Sequence, residues 1–308
     1  MKKLAKRLIS SVAPRLPWGV REAFLTGIAR SDDYRLLHES ASVYGICGFV
    51  ANGEYGFIQG SITDNVVFRT YARTGFWAKR TNTLVSEFLS DGGLYLDIGG
   101  NIGLTTIPIA KNADVECVVF EPEPTNFRHL SANITANCGN GNVTTHNLAL
   151  FDRETSICFE VSPTNSGDNR IRMTGEGGTY GEENWQTIEV QTARLDDLGI
   201  MPREPMAAKI DTQGAEPFIV AGGSKTLAQA GLLAIEFWPY GMARMGGNPE
   251  VVIQFLGDSF KRGIVSKGDS EEFGEWQPIE AVTSQLADLV RKGGELELGH
   301  LNVLVKKG

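Results

Sequence analysis

An apolar strand that runs through an acidic residue into a glycine-rich turn constrains this chain more than any other feature. Residues 95–105 have the sequence Tyr-Leu-Asp-Ile-Gly-Gly-Asn-Ile-Gly-Leu-Thr. Glycine lets a backbone approach a ligand where a Cβ atom would clash. A helix opening after Gly103 would add unpaired N–H groups that attract a carboxylate or phosphate. The stretch therefore predicts a nucleotide-binding turn at the end of a buried strand.

A second acidic residue follows the next apolar strand and completes the predicted site. Glu121 comes directly after Val118, Val119 and Phe120. It lies about twenty residues beyond the turn, where a carboxylate can accept both ribose hydroxyls. The two motifs together predict one adenosine site. Its predicted contacts are Asp97, Gly99, Gly100, Asn101, Gly103, Glu121 and Pro122.

The turn also distinguishes between cofactors. A dinucleotide fingerprint requires G-x-G-x-x-G, and Ile98 occupies the position of its first glycine. The carboxylate of Asp97 would repel a pyrophosphate, whereas it would attract the ammonium and sulfonium groups of S-adenosylmethionine. The sequence therefore predicts S-adenosylmethionine. The alternatives are a nicotinamide dinucleotide and an ordinary strand–helix turn whose glycines only pack tightly.

The distribution of charge argues against one class of partner. The chain has 308 residues and a formal net charge of −8, yet its first thirty residues contain seven basic side chains and one acidic side chain. The remainder is therefore distinctly acidic. Because binding to nucleic acid requires clustered Lys and Arg, we expect no nucleic-acid partner.

The basic opening segment has a pattern of its own. Leu4, Leu8 and Val12 follow helical spacing among basic residues, which predicts a short amphipathic helix over residues 2–12. A solvated helix is the favoured interpretation, because the run is short and Pro14 and Pro17 end it. Weak contact with an anionic membrane surface is the alternative. The segment lacks the apolar core of a secretory signal, and no stretch approaches the length of a membrane span.

Cysteine and histidine spacing predicts no metal site. The four cysteines lack C-x-x-C spacing, and no two of the four histidines stand four residues apart, so neither a zinc site nor a redox pair is indicated. Reduced cysteines are typical of the cytoplasm. We therefore expect a cytoplasmic protein, with a peripheral position on the inner face of a membrane as the alternative.

Apolar runs alternate with helical segments from residue 94 onward, which predicts an α/β fold. Three short β-prone runs at 48–50, 56–59 and 66–71 predict hairpin strands in a lead-in over residues 1–75, ahead of the main domain at 76–308. Two strand-like pieces within about 154–195 predict a β-hairpin insertion. Six runs are apolar enough to be buried, mostly parallel strands: 94–98, 117–120, 143–150, 207–210, 232–237 and 301–305.

Acidic residues also end two later strands. Asp211 follows Ala-Ala-Lys-Ile, and Glu236 follows Leu-Ala-Ile. Ligands of open α/β sheets bind beyond the carboxyl ends of the strands, so Asp211 is expected to contact the cofactor. Methyl transfer to an alcohol needs a base for the hydroxyl proton, for which Asp211 is the first candidate and Glu236 the second. Capping of the following turn is the structural alternative. Asn147 and Ala149, after the third strand, are predicted adenine contacts.

These motifs together resemble the FkbM-type S-adenosylmethionine-dependent methyltransferases over roughly residues 92–306. The resemblance implies a Rossmann-like class I methyltransferase fold, with a seven-stranded, mostly parallel sheet whose last strand is antiparallel. It also implies O-methylation of hydroxyls on sugars, glycolipids or polyketide-like metabolites. The motifs are Tyr-Leu-Asp-Ile-Gly-Gly-Asn-Ile-Gly (95–103), Phe-Glu-Pro-Glu-Pro-Thr-Asn-Phe (120–127), Asn-Leu-Ala-Leu (147–150), Ser-Gly-Asp-Asn (166–169), Leu-Asp-Asp-Leu (195–198), Lys-Ile-Asp-Thr-Gln-Gly-Ala-Glu (209–216) and Asn-Val-Leu (302–304).

The resemblance also implies roles for single residues. One position departs from the pattern, because family members usually have Glu where this chain has Gln213. A carboxylate is thereby missing beside Asp211, and we predict catalysis without a divalent metal. The resemblance implies an acidic motif near the cofactor at Asp211 and Glu216. It implies cofactor binding by Asp97, Gly99, Asn101, Gly103 and Glu121.

The acceptor, a small molecule or glycan, is expected under segments outside these motifs, namely 43–75, 154–195 and 238–250. Phe237, Trp238 and Tyr240 would stack on a sugar face or, as the favoured alternative, fill a core. The sequence predicts neither the identity of the acceptor nor the oligomeric state. A non-catalytic S-adenosylmethionine-binding protein and, less favoured, a nicotinamide-dependent oxidoreductase are the alternative functions.

Overall fold

Strands and helices alternate along most of the chain in a computed structural model that describes residues 48–61, 63–139, 141–172, 185–268, 272–292 and 299–308. The predicted helix at 2–12 lies outside these ranges. The strands are β1 (Gly48–Gly53), β2 (Gly56–Ser61), β3 (Gly93–Ile98), β4 (Val115–Phe120), β5 (Val143–His146), β6 (Ala149–Leu150), β7 (Thr155–Val161), β8 (Arg170–Ile171), β9 (Gln186–Ala193), β10 (Met206–Ile210), β11 (Leu232–Phe237), β12 (Arg262–Lys267), β13 (Gln277–Pro278) and β14 (Leu301–Lys306). The α-helices are α1 (Val67–Thr74), α2 (Lys79–Phe88), α3 (Ile107–Ala110), α4 (Pro124–Asn137), α5 (Glu216–Leu227), α6 (Pro239–Arg244), α7 (Pro249–Ser259) and α8 (Ile279–Arg291).

The central sheet has the Rossmann-like α/β arrangement. Its strand order is β13-β12-β14-β11-β10-β3-β4-β5. The strands from β11 to β5 run parallel, and β14 runs antiparallel to both of its neighbours. The sequence predicted seven strands, whereas the described sheet has eight, because the two-residue strand β13 pairs with the start of β12.

The two faces of the sheet pack against different sets of helices. Leu94, Leu96 and Ile98 of β3 belong to a core cluster that includes apolar residues of α5, α7 and α8. Tyr95, which points to the opposite face because strand side chains alternate, belongs to a second cluster with residues of α1 and α2. Burial on both faces explains why β3 and β10 have no exposed residue, as parallel strands between two helical layers require.

The insertion forms a second, smaller sheet with strand order β6-β9-β7-β8. Strands β7 and β9 lie at the two predicted strand-like pieces and pair antiparallel, while β6 pairs parallel with β9. The single strand predicted at 143–150 was wrong. It divides into β5 of the central sheet and β6 of the small sheet, with His146 ending β5 and Ala149 starting β6.

The lead-in differs from the prediction at one element. Strands β1 and β2 form the expected hairpin, but the strand predicted at 66–71 was wrong, since this segment begins helix α1. Asp64 explains the difference, because its carboxylate accepts the backbone N–H groups of Val66, Val67 and Phe68. Such capping satisfies the unpaired donors of a helix start and outweighs the β propensity of the run.

Asparagine side chains fasten the hairpin to helix α4. The amide of Asn133 accepts from the backbone N–H of Gln59 and donates to its carbonyl, at 2.6 and 2.8 Å. The amide of Asn137 makes the same pair of bonds to Phe57, at 3.0 and 2.8 Å. These side chains form the hydrogen bonds that a neighbouring strand would make with β2, and they connect the lead-in directly to the main domain.

Candidate functional site

The turn after β3 passes between β4 and β10 at very close range. Gly99 has a φ of 87°, and the N–H groups of Gly99 and Gly100 both donate to the carbonyl of Phe120 at 3.0 Å. A Cβ atom on Gly99 would lie 2.0 Å from the carbonyl oxygen of Asp211, and one on Gly100 would lie 2.3 Å from Val119 Cγ1. Only glycine fits at these two positions, where the turn packs directly against β4 and the residues that follow β10.

Glu121 lies beneath this turn and is 5% exposed. Its Oε2 atom accepts the N–H of Asn101 at 2.8 Å, and its Oε1 atom accepts the N–H of Glu123 at 2.9 Å. Burial raises the pKa of Glu121 to about 7, although these hydrogen bonds act in the opposite direction. Each carboxylate oxygen keeps a lone pair with which it can accept a ligand hydroxyl.

A narrow cleft of about 80 Å³ lies over the turn. Glu121 and Pro122 form one side of the cleft, and an apolar slot adjoins it, lined by Leu148, Ala149, Leu150, Phe159 and Ile171 among others. The cleft itself is lined by residues of the turn, of the ends of β4 and β10, of the insertion and of the segment around α1: Val67, Trp77, Gly99, Gly100, Asn101, Ile102, Leu104, Thr105, Glu121, Pro122, Phe159, Ser166, Gly167, Asn169, Lys209, Asp211, Thr212 and Gln213.

Three predicted cofactor contacts occupy other positions. Asp97 is fully buried below the cleft, where its Oδ2 atom accepts the hydroxyls of Thr105 and Thr106 at 2.7 and 2.6 Å. Burial raises the pKa of Asp97 even though Lys209 lies nearby. Gly103, with a φ of 93°, shapes the backbone beside the cleft without lining it.

Asn147 is the third of these residues and lines neither the cleft nor the slot. Its side-chain NH₂ group donates to the carbonyls of Glu121 and Pro122 at 2.8 and 3.0 Å. The amide therefore supports the loop that carries the Glu121 carboxylate. The helix expected directly after Gly103 is also shorter than predicted, since α3 begins at Ile107 and has four residues.

A short segment of the insertion, Asn165–Asn169, closes over the turn; we call it the strap. The amide of Asn101 donates to the carbonyl of Ser166 at 2.9 Å. The hydroxyl of Ser166 donates to the carboxylate of Asp64, the residue that caps α1. The sequence marks residues 166–169 of the strap as a motif but gives no sign of the link to Asp64, because residues 102 positions apart meet only in the fold.

The carboxylates of Asp211 and Glu236 lie together at the ends of β10 and β11. The side-chain NH₂ group of Gln213 donates to Asp211 Oδ1 at 3.1 Å and to Glu236 Oε2 at 2.8 Å. His300 Nε2 lies 3.7 Å from Glu236 Oε1. Gln213 has a φ of 58°, a left-handed conformation that is uncommon outside glycine and occurs at functional sites.

Lys209 stands between two of the carboxylates. Its Nζ atom lies 3.2 Å from Asp211 Oδ2 and 3.8 Å from Asp97 Oδ1. Burial alone would lower the pKa of Lys209, but attraction to Asp211 and Asp97 outweighs it, and the pKa is raised. Lys209 is therefore a permanent cation that offsets part of the negative charge at the ends of the strands.

Glu216 serves the turn that follows β10. Its carboxylate accepts the N–H of Thr212, the hydroxyl of Thr212 and the N–H of Gly214, all at 2.8–3.0 Å. The side chain is fully buried, which raises its pKa to about 7, and it does not line the cleft. Its position indicates a structural role.

A larger cavity of about 490 Å³ adjoins the cleft; we call it the chamber. Both are lined by Val67, Trp77, Gly167, Lys209, Asp211 and Gln213. Helices α1 and α2 and their connection form one wall of the chamber, while Glu236, His300 and Asn302 come from the far side. Two ligands can therefore lie end to end and meet beside Asp211.

The aromatic residues at and after the end of β11 are Phe237 and Trp238, which are both buried, and Tyr240; Trp238 also lines the chamber. Phe237 is fully buried in the main core, as the favoured interpretation predicted. Trp238 lines the chamber, and the guanidinium of Arg170 lies 5.4 Å from the centre of its ring. Tyr240 contacts the Trp238 ring with 5.5 Å between centroids. A cation and an aromatic neighbour thus hold Trp238 in place.

Two searches for other features gave no result within the described ranges. No helix there is long and apolar enough to cross a bilayer. No group of three or more metal-ligating side chains was found among the same residues.

Comparison with known proteins identifies one family. The sequence model of the methyltransferase FkbM domain matches residues 97–262, which is more than half of the chain. No curated protein matches significantly. Among solved structures, an FkbM methyltransferase from Methylobacillus flagellatus is 15% identical with a TM-score of 0.38, and the match covers 56% of this chain and 40% of that one.

Two further structures have comparable scores. A precorrin-6y C5,15-methyltransferase from Geobacter metallireducens is 13% identical with a TM-score of 0.38, over 74% of this chain and 87% of that one. A Pyrococcus abyssi tRNA (uracil-54, C5)-methyltransferase in complex with S-adenosyl-L-homocysteine is 11% identical with a TM-score of 0.41, over 84% and 44% of the two chains. At these TM-scores, the structural similarity carries no argument about substrate.

Proposed function

The chain belongs to the FkbM methyltransferase family and uses S-adenosylmethionine, and we propose that it methylates a hydroxyl group on a sugar, glycolipid or related metabolite. The observation that carries this proposal is the position of Asp211 and Glu236, joined through Gln213 where the cleft meets the chamber. A base at this junction lies between the expected places of donor and acceptor.

The residues of the cleft fit an adenosyl cofactor. The turn lines the cleft from Gly99 to Asn101, and Glu121 offers two acceptor oxygens for ribose hydroxyls. The slot beside Ala149 has uncharged, mostly apolar walls, which suit an adenine ring. Asp97 acts from below the cleft, through Lys209, Thr105 and the field of its charge.

Bound S-adenosylmethionine supplies an electrophilic methyl group on a sulfonium. Asp211 accepts the proton of the attacking hydroxyl, because its carboxylate stands at the junction and its side chain is 38% exposed. Glu236, at 11% exposure, is the second candidate, and its carboxylate accepts either a hydrogen bond from the acceptor or the proton itself. Positioning of the two reactants by the chamber walls supplies about 7–11 kcal/mol toward such a displacement.

We further propose that no divalent metal takes part. Gln213 stands between the two carboxylates and donates a hydrogen bond to each. Its N–H groups therefore occupy the space between the carboxylates, where a divalent cation would need oxygen ligands. Turnover that is unchanged in excess chelator would support this proposal. Loss of turnover that returns with added magnesium or manganese would refute it.

The location in the cell also remains a proposal. We propose a cytoplasmic protein whose segment 2–12 makes at most weak contact with anionic membrane. Sedimentation with vesicles of anionic and neutral lipid tests this contact. Equal recovery in the supernatant with both vesicle types would exclude it, whereas binding that depends on anionic lipid would establish it.

The experiment that tests the function offers radiolabelled S-adenosylmethionine and fractionated lysate of the source cell to the protein. Treatment of the products with alkali then distinguishes the bond, because methyl ethers survive alkali and methyl esters do not. Label in an alkali-stable ether on a carbohydrate is the expected result. Label on nitrogen or carbon would contradict the proposal, and cofactor binding without any labelled product would favour the non-catalytic alternative.

A further inference from the structure

One aromatic side chain lines both cavities at the place where we expect the two ligands to meet. Trp77 lies in the connection between α1 and α2 and lines both the cleft and the chamber. Six residues of the described ranges line both cavities, and Trp77 is the one aromatic residue among them. Its ring is half-buried against the second core cluster, so that one part of the ring packs on the protein and another part is offered to the cavities.

The backbone at Trp77 is held in place by a buried hydrogen-bond network. Its carbonyl accepts the hydroxyl of Tyr55 at 2.6 Å and the amide of Asn82 at 3.0 Å. The same Asn82 amide donates to the carbonyl of Leu104 at 3.1 Å, at the far end of the cofactor turn. The network therefore connects the position of Trp77 to the segment that binds the cofactor.

The residue after Trp77 has an unfavourable backbone conformation. Ala78 has a φ of 45° and a ψ of 42°, in the left-handed region that a residue with a Cβ atom rarely adopts. Non-glycine residues keep such angles only when surrounding structure imposes them, and they concentrate at ligand sites. Here the angles turn the chain at the start of α2 and direct residue 77 to the junction.

The chamber offers an apolar platform on one side and polar groups on another. Trp77 and Phe76 come from the α1–α2 connection, while Asp211, Gln213 and Glu236 come from the ends of the central strands. A pyranose ring has matching chemistry, because its C–H groups form an apolar face and its hydroxyls project from the edge. An indole suits the C–H face, since it presents a large and rigid π-surface.

We propose that Trp77 is the platform on which the pyranose ring of the acceptor stacks, with the hydroxyl to be methylated directed at Asp211. This inference rests on the proposed function and narrows it to acceptors with a sugar ring. The stacked ring is held at the junction of the two cavities, so Trp77 touches the acceptor and sets which hydroxyl reaches the donor.

The test measures sugar binding to the protein loaded with S-adenosylhomocysteine, by saturation-transfer NMR with the methyl glycosides of glucose, galactose, mannose and rhamnose. Saturation concentrated on the ring C–H protons of at least one glycoside is expected for the wild-type protein. Trp77→Phe should keep most of this binding, and Trp77→Leu should weaken it by at least about tenfold. Trp276→Leu is the matched control, because Trp276 is also half-buried but lines neither cavity.

Cofactor affinity, measured on the same proteins, separates a local effect from unfolding. Trp77→Phe and Trp276→Leu should bind S-adenosylhomocysteine with dissociation constants within about threefold of wild type. Because Trp77 also lines the cleft, Trp77→Leu should fold and bind S-adenosylhomocysteine with a smaller loss of affinity than its loss for the glycoside. If Trp77→Leu does not fold, nuclear Overhauser contacts between the indole protons and the glycoside in the wild-type protein give the answer directly.

The possible results separate the role of Trp77 from the proposed function. Binding and methylation of sugars that are unchanged in Trp77→Leu would overturn the platform and leave the proposed function standing. A wild-type protein that binds none of the four glycosides, and methylates an acceptor without a sugar ring, would overturn the platform together with the sugar class.

Discussion

The cleft and the chamber are neighbours, but the chain builds them in different ways. Most of the cleft comes from the ends of adjacent parallel strands, where Gly99, Glu121 and Asp211 each follow a strand directly. The chamber draws on α1, the α1–α2 connection, the strap and the ends of β11 and β14. The cleft is therefore mainly a feature of the sheet, whereas the chamber forms between the sheet and the segments packed over it.

The difference explains where each site tolerates change. The cleft depends on backbone geometry that admits one residue type, as at Gly99 and Gly100. The chamber depends more on side chains, among them the half-buried Trp77 and the buried Trp238. We therefore expect substitutions in the cleft to affect binding of the cofactor and folding, and substitutions in the chamber to affect the choice and turnover of the acceptor.

The largest effect is expected at the junction, where the two sites cannot be separated. Asp211→Asn removes the proposed base and should lower kcat by about 10²–10⁴, while the affinity for S-adenosylhomocysteine changes little. Glu236→Gln should lower kcat less. Single-turnover methylation and cofactor titration of both variants would check this order. A larger loss in Glu236→Gln than in Asp211→Asn would reverse the assignment of the base.

The next effect tests the claim that the cleft is fixed by backbone geometry. Gly99→Ala places a Cβ atom 2.0 Å from the Asp211 carbonyl at a φ of 87°. Left-handed strain alone costs about 1–3 kcal/mol, and the clash adds to it. Thermal unfolding and cofactor titration should therefore show loss of stability and of binding.

Gly139→Ala is the matched control for that substitution. A Cβ atom on Gly139 would meet nothing within 4 Å, and we expect wild-type stability and binding. Equal behaviour of the two alanine variants would contradict the close approach between the turn and β10.

A third prediction concerns pH and the carboxylate of Glu121. Its pKa of about 7 means that cofactor affinity should rise by about tenfold from one pH unit below that value to one unit above, because only the ionised carboxylate accepts both ribose hydroxyls. Calorimetric titrations at several pH values would show this rise in the wild-type protein and its absence in Glu121→Gln.

Fold stability should depend on pH in the opposite direction to cofactor affinity. A carboxyl group whose pKa is raised in the folded state stabilises the fold below its unfolded pKa of 4.5, and this contribution is lost as the pH rises through about 7. Glu216, whose pKa is also about 7 but which does not line the cleft, provides the control. Glu216→Gln should alter the stability profile and leave the pH dependence of cofactor binding intact; loss of that dependence would contradict the assignment to Glu121.

The smallest effect is expected at the strap, which belongs to both sites. Ser166→Ala removes the hydroxyl that donates to Asp64, a bond to a charged group of about 1.5–3 kcal/mol. We expect only part of that energy to affect cofactor binding. The cofactor should then dissociate from Ser166→Ala about three- to tenfold faster than from the wild-type protein. Stopped-flow release of S-adenosylhomocysteine measures the rate.

Asp64→Asn separates the strap from the helix cap. Asparagine caps a helix about as well as aspartate, so α1 should persist while the bond to Ser166 weakens. Release rates that match wild type in both variants would show that the strap does not hold the cofactor.

The comparison also explains how much of the protein could be predicted from its sequence. The turn at 97–103 and Glu121 are contiguous with buried apolar runs, and the parallel strands that present them have a strong local signal. Asp211 follows β10 directly and Glu236 is the penultimate residue of β11, and the fold brings them together because these two strands are neighbours. The sequence pattern predicts the position of these residues, because the burial that makes a strand apolar also places its carboxyl end at the edge of the sheet.

The remaining features depend on contacts between distant segments. The β-prone run at 66–71 became part of helix α1 because Asp64 caps it, and Asp64 is in turn bound by Ser166. Trp77 reaches the junction through bonds from Tyr55 and Asn82. No periodicity marks these residues, because each obtains its role from a partner far away in the chain.

The most direct test of the account is a crystal structure of the protein with S-adenosylhomocysteine. We predict that both ribose hydroxyls lie within hydrogen-bond distance of the Glu121 carboxylate, that adenine lies in the slot beside Ala149, and that the sulfur faces Asp211 at the junction with the chamber. A cofactor bound elsewhere, or one whose sulfur points away from Asp211, would contradict the account.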